Sequence, residues 1–378
     1  MMRAIPFTRL DTSAVGRWWW TVDRWTLGAV ATLMGIGALL TLAASPAVAQ
    51  RIGAPSFHFV YRHAVFIPLA AGIVWLVSLQ THRTVRRLGA IGFLVSMGLM
   101  LLTLVVGEEV KGATRWITLP GFSLQPSEFI KPTFAVVTAW MFSESRASAN
   151  AFPGDWIAVV LYGAVILLLL LQPDIGMSLV VSVVWAIQYF LAGLGLFWVL
   201  LLVVGGLFSG VGAYFLFDHV RSRVDRFLDP DSGDSYQIAK ALQAFHKGGL
   251  IGTGPGEGRV KEVLPDAHTD FIFAVAGEEF GLILCLLMVG LFAFVVLRGF
   301  ARALRSDSLF VLLATSGLLV QFGLQAIINM ASSLRLMPTK GMTLPFISYG
   351  GSSMLALSVG MGMVLALTRR QAGEGDLP

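Results

Sequence analysis

Two oppositely charged residues, Glu128 and Lys131, interrupt an apolar stretch of the chain within residues 125–132 (QPSEFIKP). Their i,i+3 spacing puts both on one face of a helix, where they can form an ion pair. A charged side chain at the centre of a bilayer costs about 2.5–3.5 kcal/mol, so charged residues in such places are candidates for function. Two interpretations remain open: the pair only holds helices together, or it lines a cavity in which Lys131 binds the phosphate of an anionic head group.

A second candidate is Asp270, which lies in residues 264–271 (LPDAHTDF), just before a long apolar run. A carboxylate in this position fits the N-cap of a helix, where it accepts hydrogen bonds from unsatisfied backbone N–H groups. Capping is compatible with chemistry, because an ionised carboxylate beside a cavity at the membrane surface can accept a proton from a sugar hydroxyl. Asp266 and His268 either assist this step or are solvated loop residues.

The segment 218–270 is too long and too polar to be a plain turn. Its first part carries several arginines, among them Arg223, and 235–246 has apolar residues at helical spacing, which predicts a short helix on the membrane surface. A glycine-rich run follows, which is either a plain flexible loop or a loop whose backbone N–H groups approach a phosphate. The glycines of this phosphate-loop candidate are Gly252, Gly254, Gly256 and Gly258.

Residues 338–353 (PTKGMTLPFISYGGSS) combine prolines, glycines and serines at the entrance of the last apolar run. Irregular backbone at membrane depth is tolerated only against protein or a water-filled cavity, so we expect an irregular segment beside such a cavity. Gln321, Gln325 and Asn329 on the preceding predicted helix either line the same cavity or form hydrogen bonds between helices.

The elements that position these residues must belong to a membrane protein. Of the 378 residues, 56% are hydrophobic and 13% are charged, and the mean hydropathy is +0.76. Soluble domains have about 25% charged residues, so the composition excludes a soluble fold, and it also excludes a disordered chain. A single cysteine, Cys285, excludes an intramolecular disulfide. The net charge is +5, and the charged residues lie between apolar runs without forming a basic stripe. No nucleic-acid partner is therefore expected.

No cofactor is evident from the sequence. The chain has no GxxxxGK[ST] motif for nucleotide phosphates, and its histidines and cysteine do not have the spacing of metal ligands. No metal ligand is therefore assigned. A divalent cation that takes part in the chemistry would have to be held by carboxylates and substrate phosphates.

Ten apolar runs are each long enough to cross a bilayer core about 30 Å thick. They predict an all-α integral membrane protein, a polytopic bundle of ten transmembrane helices with a large extracytoplasmic loop at 218–270 before the eighth helix. The predicted spans are 27–49, 61–80, 87–107, 126–143, 156–172, 175–192, 195–217, 271–297, 309–334 and 343–367. Arginine and lysine are most frequent in the connections that lie inside if both termini are cytoplasmic, which predicts this orientation. The expected organisation is a cytoplasmic segment 1–26, a membrane domain 27–368 and a cytoplasmic tail 369–378.

Four separated motifs resemble those of the SEDS family of bacterial proteins, named for shape, elongation, division and sporulation. They are residues 111–117 (KGATRWI), 124–128 (LQPSE), 268–273 (HTDFIF) and a C-terminal signature at 345–353. The resemblance covers essentially the whole chain. Residues 339–345 (TKGMTLP) are more similar to the division members of the family than to its elongation members.

The resemblance implies a ten-span peptidoglycan glycosyltransferase of cell division. Such an enzyme polymerises lipid II on the outer face of the cytoplasmic membrane and releases undecaprenyl diphosphate. The resemblance also implies a class B penicillin-binding protein, the septal transpeptidase, and other division proteins as partners at the division septum. By the same resemblance Asp270 is the catalytic acidic residue, Glu128 and Lys131 are the intramembrane cavity pair, and Arg115 with Trp116 belongs to an outer-loop motif. Further candidates for the substrate cavity are Arg223, Asp266 and His268. The C-terminal signature has a structural role and includes Pro345, Ser348, Gly350, Gly351 and Ser352.

Two other functions remain open from the residues alone. A transporter (flippase) of lipid-linked precursor would use an intramembrane ion pair and broken helices for alternating access. The candidate groups lie nearly all on one predicted side of the membrane, which favours the enzyme. A non-catalytic scaffold for the division machinery would depend on its lipid-facing helix surfaces more than on its cavity.

Overall fold

The computed structural model describes residues 13–110, 113–119, 122–147, 152–216, 218–228, 233–338 and 341–369, which are predominantly helical. The helices are α1 (Ala14–Thr21), α2 (Arg24–Arg51), α3 (His58–Ser78), α4 (His82–Val106), α5 (Pro126–Ala147), α6 (Gly154–Leu171), α7 (Ile175–Leu191), α8 (Leu196–Leu216), α9 (Asp218–Leu228), α10 (Gly233–Gly248), α11 (Ile272–Ala303), α12 (Leu309–Ser333) and α13 (Gly351–Leu367). The strands are β1 (Glu108–Val110), β2 (Ala113–Leu119) and β3 (Phe122–Leu124).

Each of the ten predicted apolar runs coincides with a helix of the described chain. Six helices are long and apolar enough to cross a membrane, namely α2, α3, α4, α6, α11 and α12. α7 and α13 are apolar but shorter, and α5 carries the Glu128–Lys131 pair. The helical membrane fold is therefore confirmed, whereas the count of ten crossings stays a prediction.

The connection 108–125 contains strands, which the sequence does not predict. It contains an antiparallel sheet in the order β1-β2-β3, in which Thr114 pairs with Glu109 and Thr118 pairs with Ser123. β2 has the sequence ATRWITL, rich in the β-branched and aromatic residues that favour strands. The flanking strands have only three residues each, too few to show the alternation that predicts a strand.

The last predicted span, 343–367, is helical only from Gly351 onward. Residues 341–350 form turns and irregular backbone, which confirms the irregular segment predicted at this entrance. Phe346 has a φ of +63°, in the left-handed region that non-glycine residues rarely adopt. This irregular entrance, residues 341–350, is mostly buried against the rest of the protein.

α10 confirms the helix predicted at 235–246, but protein covers its apolar face. Ile238, Ala241 and Ala244 are buried, and α10 packs along α11. The ring centroids of Phe245 and Phe273 lie 5.5 Å apart across this contact. The apolar spacing that predicts a helix on the membrane surface therefore serves packing within the chain.

A buried carboxylate, that of Glu278, binds the loop that connects α10 to α11. Glu278 Oε1 accepts hydrogen bonds from the N–H groups of Arg259 at 2.8 Å and Val260 at 2.7 Å. Glu278 Oε2 accepts a third from the N–H group of Lys261 at 2.9 Å. The Lys261 ammonium group in turn pairs with Glu279, which is also buried. Both acidic residues therefore fasten the loop onto α11, which breaks just beyond them at Gly281 with a φ of +72°.

The two ends of the bundle are named here by their acidic residues. Asp270 lies just before α11, and Arg298 lies near the opposite end of that helix. At that opposite end Asp23, the N-cap of α2, accepts from Arg298 Nε at 2.7 Å and lies 3.5 Å from Arg302 Nη1. Arg302 also donates to the carbonyl of Thr368 at 3.0 Å, just past α13. The Asp23 end is thus closed by ion pairs that join α2, α11 and α13.

Candidate active site

The ion pair predicted from the sequence is present within α5. Lys131 Nζ lies 2.9 Å from Glu128 Oε2, and both side chains are buried. Lys131 Nζ also donates to Gln325 Oε1 on α12 at 2.8 Å. A buried charge without a partner is strongly destabilising, and here each charge has one. The pair lies in the first turns of α5, toward the Asp270 end, and its role in substrate binding stays a prediction.

Gln325 extends the polar contacts from this pair to the irregular entrance. Its Nε2 donates to the Thr343 carbonyl at 3.0 Å and contacts Ser353 Oγ at 3.2 Å. The Thr343 and Ser353 hydroxyls also bond each other at 2.7 Å. One amide therefore joins α5, the irregular entrance and the first turn of α13.

Asn329, one turn later on α12, reaches the segment that carries Asp270. Its Nδ2 donates to the Asp270 backbone carbonyl at 3.0 Å and to the Met342 carbonyl at 2.6 Å. The Ser348 hydroxyl adds a bond to the Thr269 carbonyl at 2.6 Å. The sequence leaves open whether Asn329 lines a cavity or bonds between segments, and the structure shows the second.

Asp270 does not cap α11. That helix begins at Ile272, its N-cap is Phe271, and no side chain caps it. The predicted N-cap role of Asp270 is therefore wrong. The Asp270 N–H instead donates to the Asp266 carbonyl at 3.0 Å, in a turn where Asp266 has a φ of +50°. Asp270 is half-buried, so its side chain is accessible at this end of the bundle.

His268 is a packed aromatic side chain of the same turn. Its ring centroid lies 4.2 Å from that of Phe59 and 5.7 Å from that of Tyr349. Burial lowers the pKa of His268 to about 4, although the charge of Asp266 opposes this effect. The imidazole is therefore neutral at pH 7 and holds the turn by packing. A proton-transfer role for it stays a prediction.

Arg115 on β2 covers the turn between α6 and α7. It donates to the Pro173 carbonyl at 2.9 Å, and its Nη1 lies 3.4 Å from Asp174 Oδ2. Burial raises the pKa of Asp174, and the charge of Arg115 only partly offsets this effect. The charges of Glu128 and Lys131 act on Asp174 as well, so the four groups form one charged cluster.

Sequence reasoning misses Asp174. Its position after a short turn is that of an ordinary N-cap, and it does accept from the Met177 N–H at 3.2 Å. An ionisable group so deeply buried beside other charges is a candidate for function. The sequence does not show that Asp174 lies beside other charges. This becomes visible only from the position of Arg115, on a strand that crosses the turn between α6 and α7.

Two N–H groups of the glycine run form hydrogen bonds with carbonyls of the protein itself. The N–H of Gly252 donates to the Gly248 carbonyl at 2.7 Å, and that of Gly254 donates to the Glu279 carbonyl at 3.1 Å. Those two N–H groups are thus not available to a phosphate, which corrects half of the phosphate-loop candidate. A Cβ at Gly252 would lie 2.1 Å from the Glu279 carbonyl oxygen, so close packing requires glycine there. For Gly256 and Gly258 the phosphate contact stays a prediction.

The C-terminal signature joins several elements at the Asp270 end. Ser352 Oγ accepts from the Gln125 N–H at 3.0 Å and donates to the Ser123 carbonyl at 3.0 Å. A Cβ at Gly351 would lie 2.6 Å from the ring of Phe66. Pro345 and Ser348 are buried, whereas Gly350 is half-buried and begins α13 as its N-cap.

Not every predicted site residue can be placed. Trp116 is half-buried on β2 next to Arg115. Arg223 falls in α9, but its side chain is outside what the structure describes. The predicted motif residues 111–112 and 339–340 are also outside the described ranges.

Comparison with known proteins decides the family. A sequence profile of the cell cycle proteins FtsW, RodA and SpoVE matches residues 24–373. The chain belongs to this family. Within the FtsW/RodA/SpoVE family, it is 47% identical to the probable peptidoglycan glycosyltransferase FtsW of Caulobacter vibrioides, over 97% of this chain and 94% of that one. The protein of the same description from Coxiella burnetii is 35% identical over 92% of this chain and 96% of its own.

Solved structures of the family have the same fold. One is a chain of a peptidoglycan synthase complex in which polymerization and crosslinking are coordinated, with a TM-score of 0.76, 29% identity and 92% of this chain covered. Another is the rod shape determining protein RodA of Thermus thermophilus, with a TM-score of 0.68 and 29% identity over 93% of this chain. Each of them is covered over 97% of its own length, so the alignment spans nearly complete chains.

Proposed function

We propose that this member of the FtsW/RodA/SpoVE family is a peptidoglycan glycosyltransferase of cell division that polymerises lipid II. The FtsW relatives support the activity by their sequence identity. The observation that carries the chemistry is the set of hydrogen bonds from the Glu128–Lys131 pair through Gln325 and the irregular entrance to Asn329 and the Asp270 backbone. It fixes an accessible carboxylate and a buried cation to the same end of one helix bundle.

Asp270 acts as the base in this mechanism. Its carboxylate accepts the proton of the 4-hydroxyl of the acceptor N-acetylglucosamine, and the oxygen attacks the anomeric carbon of the growing chain. The bond from that carbon to the diphosphate oxygen breaks, and undecaprenyl diphosphate leaves with the bonding electron pair. Lys131 and Arg115 stabilise the negative charge that develops on the leaving diphosphate.

The location follows from the same proposal. The Asp270 end faces the outside of the cytoplasmic membrane at the division septum, and both termini are cytoplasmic. The enzyme works with a class B penicillin-binding protein that cross-links the glycan, and with other division proteins. The synthase complex that contains a structural neighbour supports a crosslinking partner of this kind.

Polymerisation of purified lipid II tests the proposal. The protein is assayed together with its cognate transpeptidase, which is blocked with a β-lactam so that only glycan chains form. We expect long glycan from the wild type and none from Asp270→Asn, because the amide keeps the shape of the carboxylate but cannot act as the base. Glu262→Gln is the matched control, since it removes an exposed acidic residue of the same loop.

Three results would contradict the proposal. Normal glycan synthesis by correctly folded Asp270→Asn would show that this residue is not the catalytic base. Movement of labelled lipid across the membrane by an assembled complex that makes no glycan would favour a transporter. Neither activity, in a complex shown to be assembled with accessible lipid II, would favour a scaffold.

A further inference from the structure

The arginines at the Asp23 end of the bundle fall into two groups. The first group is neutralised by carboxylates: Arg298 and Arg302 lie within 2.7 and 3.5 Å of Asp23. Arg146 likewise lies 2.9 Å from Asp155. Each of these pairs carries its own counter-charge within the protein.

The second group includes Arg17, Arg86 and Arg369, called here the arginine trio, beside the exposed Arg83 and Arg87 of α4. Among the residues that the structure describes, no carboxylate forms an ion pair with any member of the trio. Arg86 Nε is in addition buried without a hydrogen-bond partner in the described chain. The trio is therefore a cluster of cations whose counter-ion is not supplied by the described protein.

Specific contacts hold the trio around the turn between α3 and α4. Trp18 Nε1 donates to Ser78 Oγ at 2.8 Å, which docks α1, and with it Arg17, onto the end of α3. Arg369 donates to the carbonyl of Leu79, the next residue, at 3.3 Å. Arg17 and Arg369 are thus both held at the end of α3, and burial together with the charge of Arg17 lowers the pKa of Arg369.

Arg86 completes the cluster from α4. Its guanidinium carbon lies 4.3 Å above the ring centroid of Phe310 at the start of α12. His82, at the first position of α4, is within electrostatic range of both Arg86 and Arg369. Cations from α1 and the end of α13 thus lie at this short turn, and Arg86 lies one helical turn after His82 on α4.

The surroundings of the trio are those of a membrane boundary. Trp20 and Trp25 are 39% and 70% exposed, as in the aromatic belts at bilayer interfaces. The Arg24 guanidinium lies 4.8 Å and 4.5 Å from the ring centroids of Trp19 and Trp20. At this depth the abundant anions are phospholipid phosphates.

The physical consequence follows from like-charge repulsion. Guanidinium groups held close together without a counter-charge repel one another, and a bound anion offsets this cost. The planar fork of arginine matches a phosphate group with two parallel hydrogen bonds. Basic pockets between membrane helices bind lipid head groups in this way.

We propose that Arg17, Arg86 and Arg369 form a binding site for the phosphate head group of an anionic phospholipid, at the end of the bundle opposite Asp270. The site is independent of the proposed glycosyltransferase chemistry. Bound lipid would fasten α1 and the end of α13 to the turn between α3 and α4.

Lipid binding to the delipidated full-length protein tests this site. Native mass spectrometry in detergent counts bound cardiolipin or phosphatidylglycerol, with phosphatidylcholine as the uncharged comparison. The wild type is expected to retain the anionic lipids preferentially. Arg17→Gln with Arg369→Gln is expected to weaken their binding about 100-fold, since each substitution removes a charge-assisted hydrogen bond to the phosphate, which contributes about a factor of ten.

The control removes the same amount of charge from the same end. Arg83→Gln with Arg87→Gln neutralises two exposed arginines of α4 that lie outside the trio, and this variant is expected to bind anionic lipid like the wild type. Equal loss in both double variants would mean general attraction to basic residues and would overturn the site. Unchanged binding in the trio variant would overturn it as well.

Two further measurements keep the result decisive. Arg17→Gln alone changes an exposed residue of α1, so it tests the site if the double variant does not fold. Millimolar inorganic phosphate is the probe for a free-anion site. Thermal stabilisation of the wild type by phosphate, equal to that by anionic lipid and lost in the trio variant, would overturn the lipid assignment.

Discussion

Lys131 donates a hydrogen bond to Gln325 Oε1 at 2.8 Å, across the contact between α5 and α12. The other side of the same amide donates to the Thr343 carbonyl at 3.0 Å in the irregular entrance. Gln325 therefore ties the buried cation to the segment that packs against the Asp270 turn. One side chain on one helix makes both of these hydrogen bonds. A site supported by a helix is held in place more precisely than a site on a loop.

Replacement of Gln325 by Leu is expected to damage stability and activity together. The change keeps much of the side-chain volume but leaves the Lys131 ammonium and the Thr343 carbonyl with one partner fewer. Each buried polar group left unsatisfied costs about 1–3 kcal/mol. We expect a lower free energy of unfolding and at least a tenfold lower rate of lipid II polymerisation, measured by thermal denaturation and by glycan synthesis.

Gln321→Leu is the matched control for this change. Gln321 lies one turn earlier on α12, and its Oε1 has no hydrogen-bond partner among the described residues. It lines a small cavity of about 10 Å³ whose other lining residues are apolar. We expect near-normal stability and activity from this variant. Equal loss of stability and activity in both variants would mean that α12 is sensitive to any substitution, and that the hydrogen bonds of Gln325 have no special role.

Replacement of Asn329 by Ala is expected to lower the turnover number of the polymerase as well as the free energy of unfolding, because two carbonyls lose a partner. Asn329 Nδ2 donates to the Asp270 and Met342 carbonyls, so its loss frees the Asp270 turn from the irregular entrance. In the proposed mechanism, a loosened Asp270 carboxylate is less often in position to accept the proton. The measurement is a kinetic series in lipid II, in which kcat falls and KM changes little. Ser333→Ala is the control, since among the described residues that hydroxyl bonds to the Asn329 carbonyl within the helix and to no other group.

Replacement of Glu278 by Gln is expected to release the loop that precedes the Asp270 turn. An amide presents N–H donors to a backbone donor, so at least one of the three bonds from residues 259–261 is lost. Hydrogen–deuterium exchange should rise in 252–264 and remain unchanged in α12. Glu257→Gln, at an exposed position of the same loop, should leave the exchange pattern intact. Unchanged exchange in Glu278→Gln would show that the carboxylate does not hold the loop.

The sequence predicts well the structural features that follow from local patterns along the chain. The apolar runs predict the ten corresponding helices, because their length and composition reflect the bilayer. The i,i+3 spacing predicts the pairing of Glu128 with Lys131, because helix geometry alone brings the two side chains together. These predictions need no knowledge of how distant segments pack.

Contacts between distant segments could not be predicted. Asp174 is part of the charged cluster only because β2 crosses its turn and brings Arg115 to it. The glycine run is compatible with an anion cradle or with a plain flexible loop. The three N–H groups that hold an anion follow the run, and the anion is the carboxylate of Glu278. The N-cap prediction for Asp270 is wrong by one residue, because the turn around Asp266 delays the start of α11.

Acidification is expected to destabilise the Asp270 turn through His268. Burial lowers the pKa of His268 to about 4, below the ordinary value of 6.5. Between these pH values the unfolded chain binds a proton that the folded protein does not. The free energy of unfolding therefore falls as the pH decreases from 6.5 to 4, by at most about 3 kcal/mol from this group.

The variant His268→Phe tests this dependence. A phenyl ring can pack between Phe59 and Tyr349 and has no proton to bind, so the decrease in thermal stability between pH 6.5 and 4 should be smaller than in the wild type. His246→Phe, at an exposed position on α10, should keep the wild-type slope. Identical slopes in His268→Phe and the wild type would show that His268 does not make the turn sensitive to acid. A smaller slope would show that the neutral, packed imidazole stabilises the segment that carries Asp270.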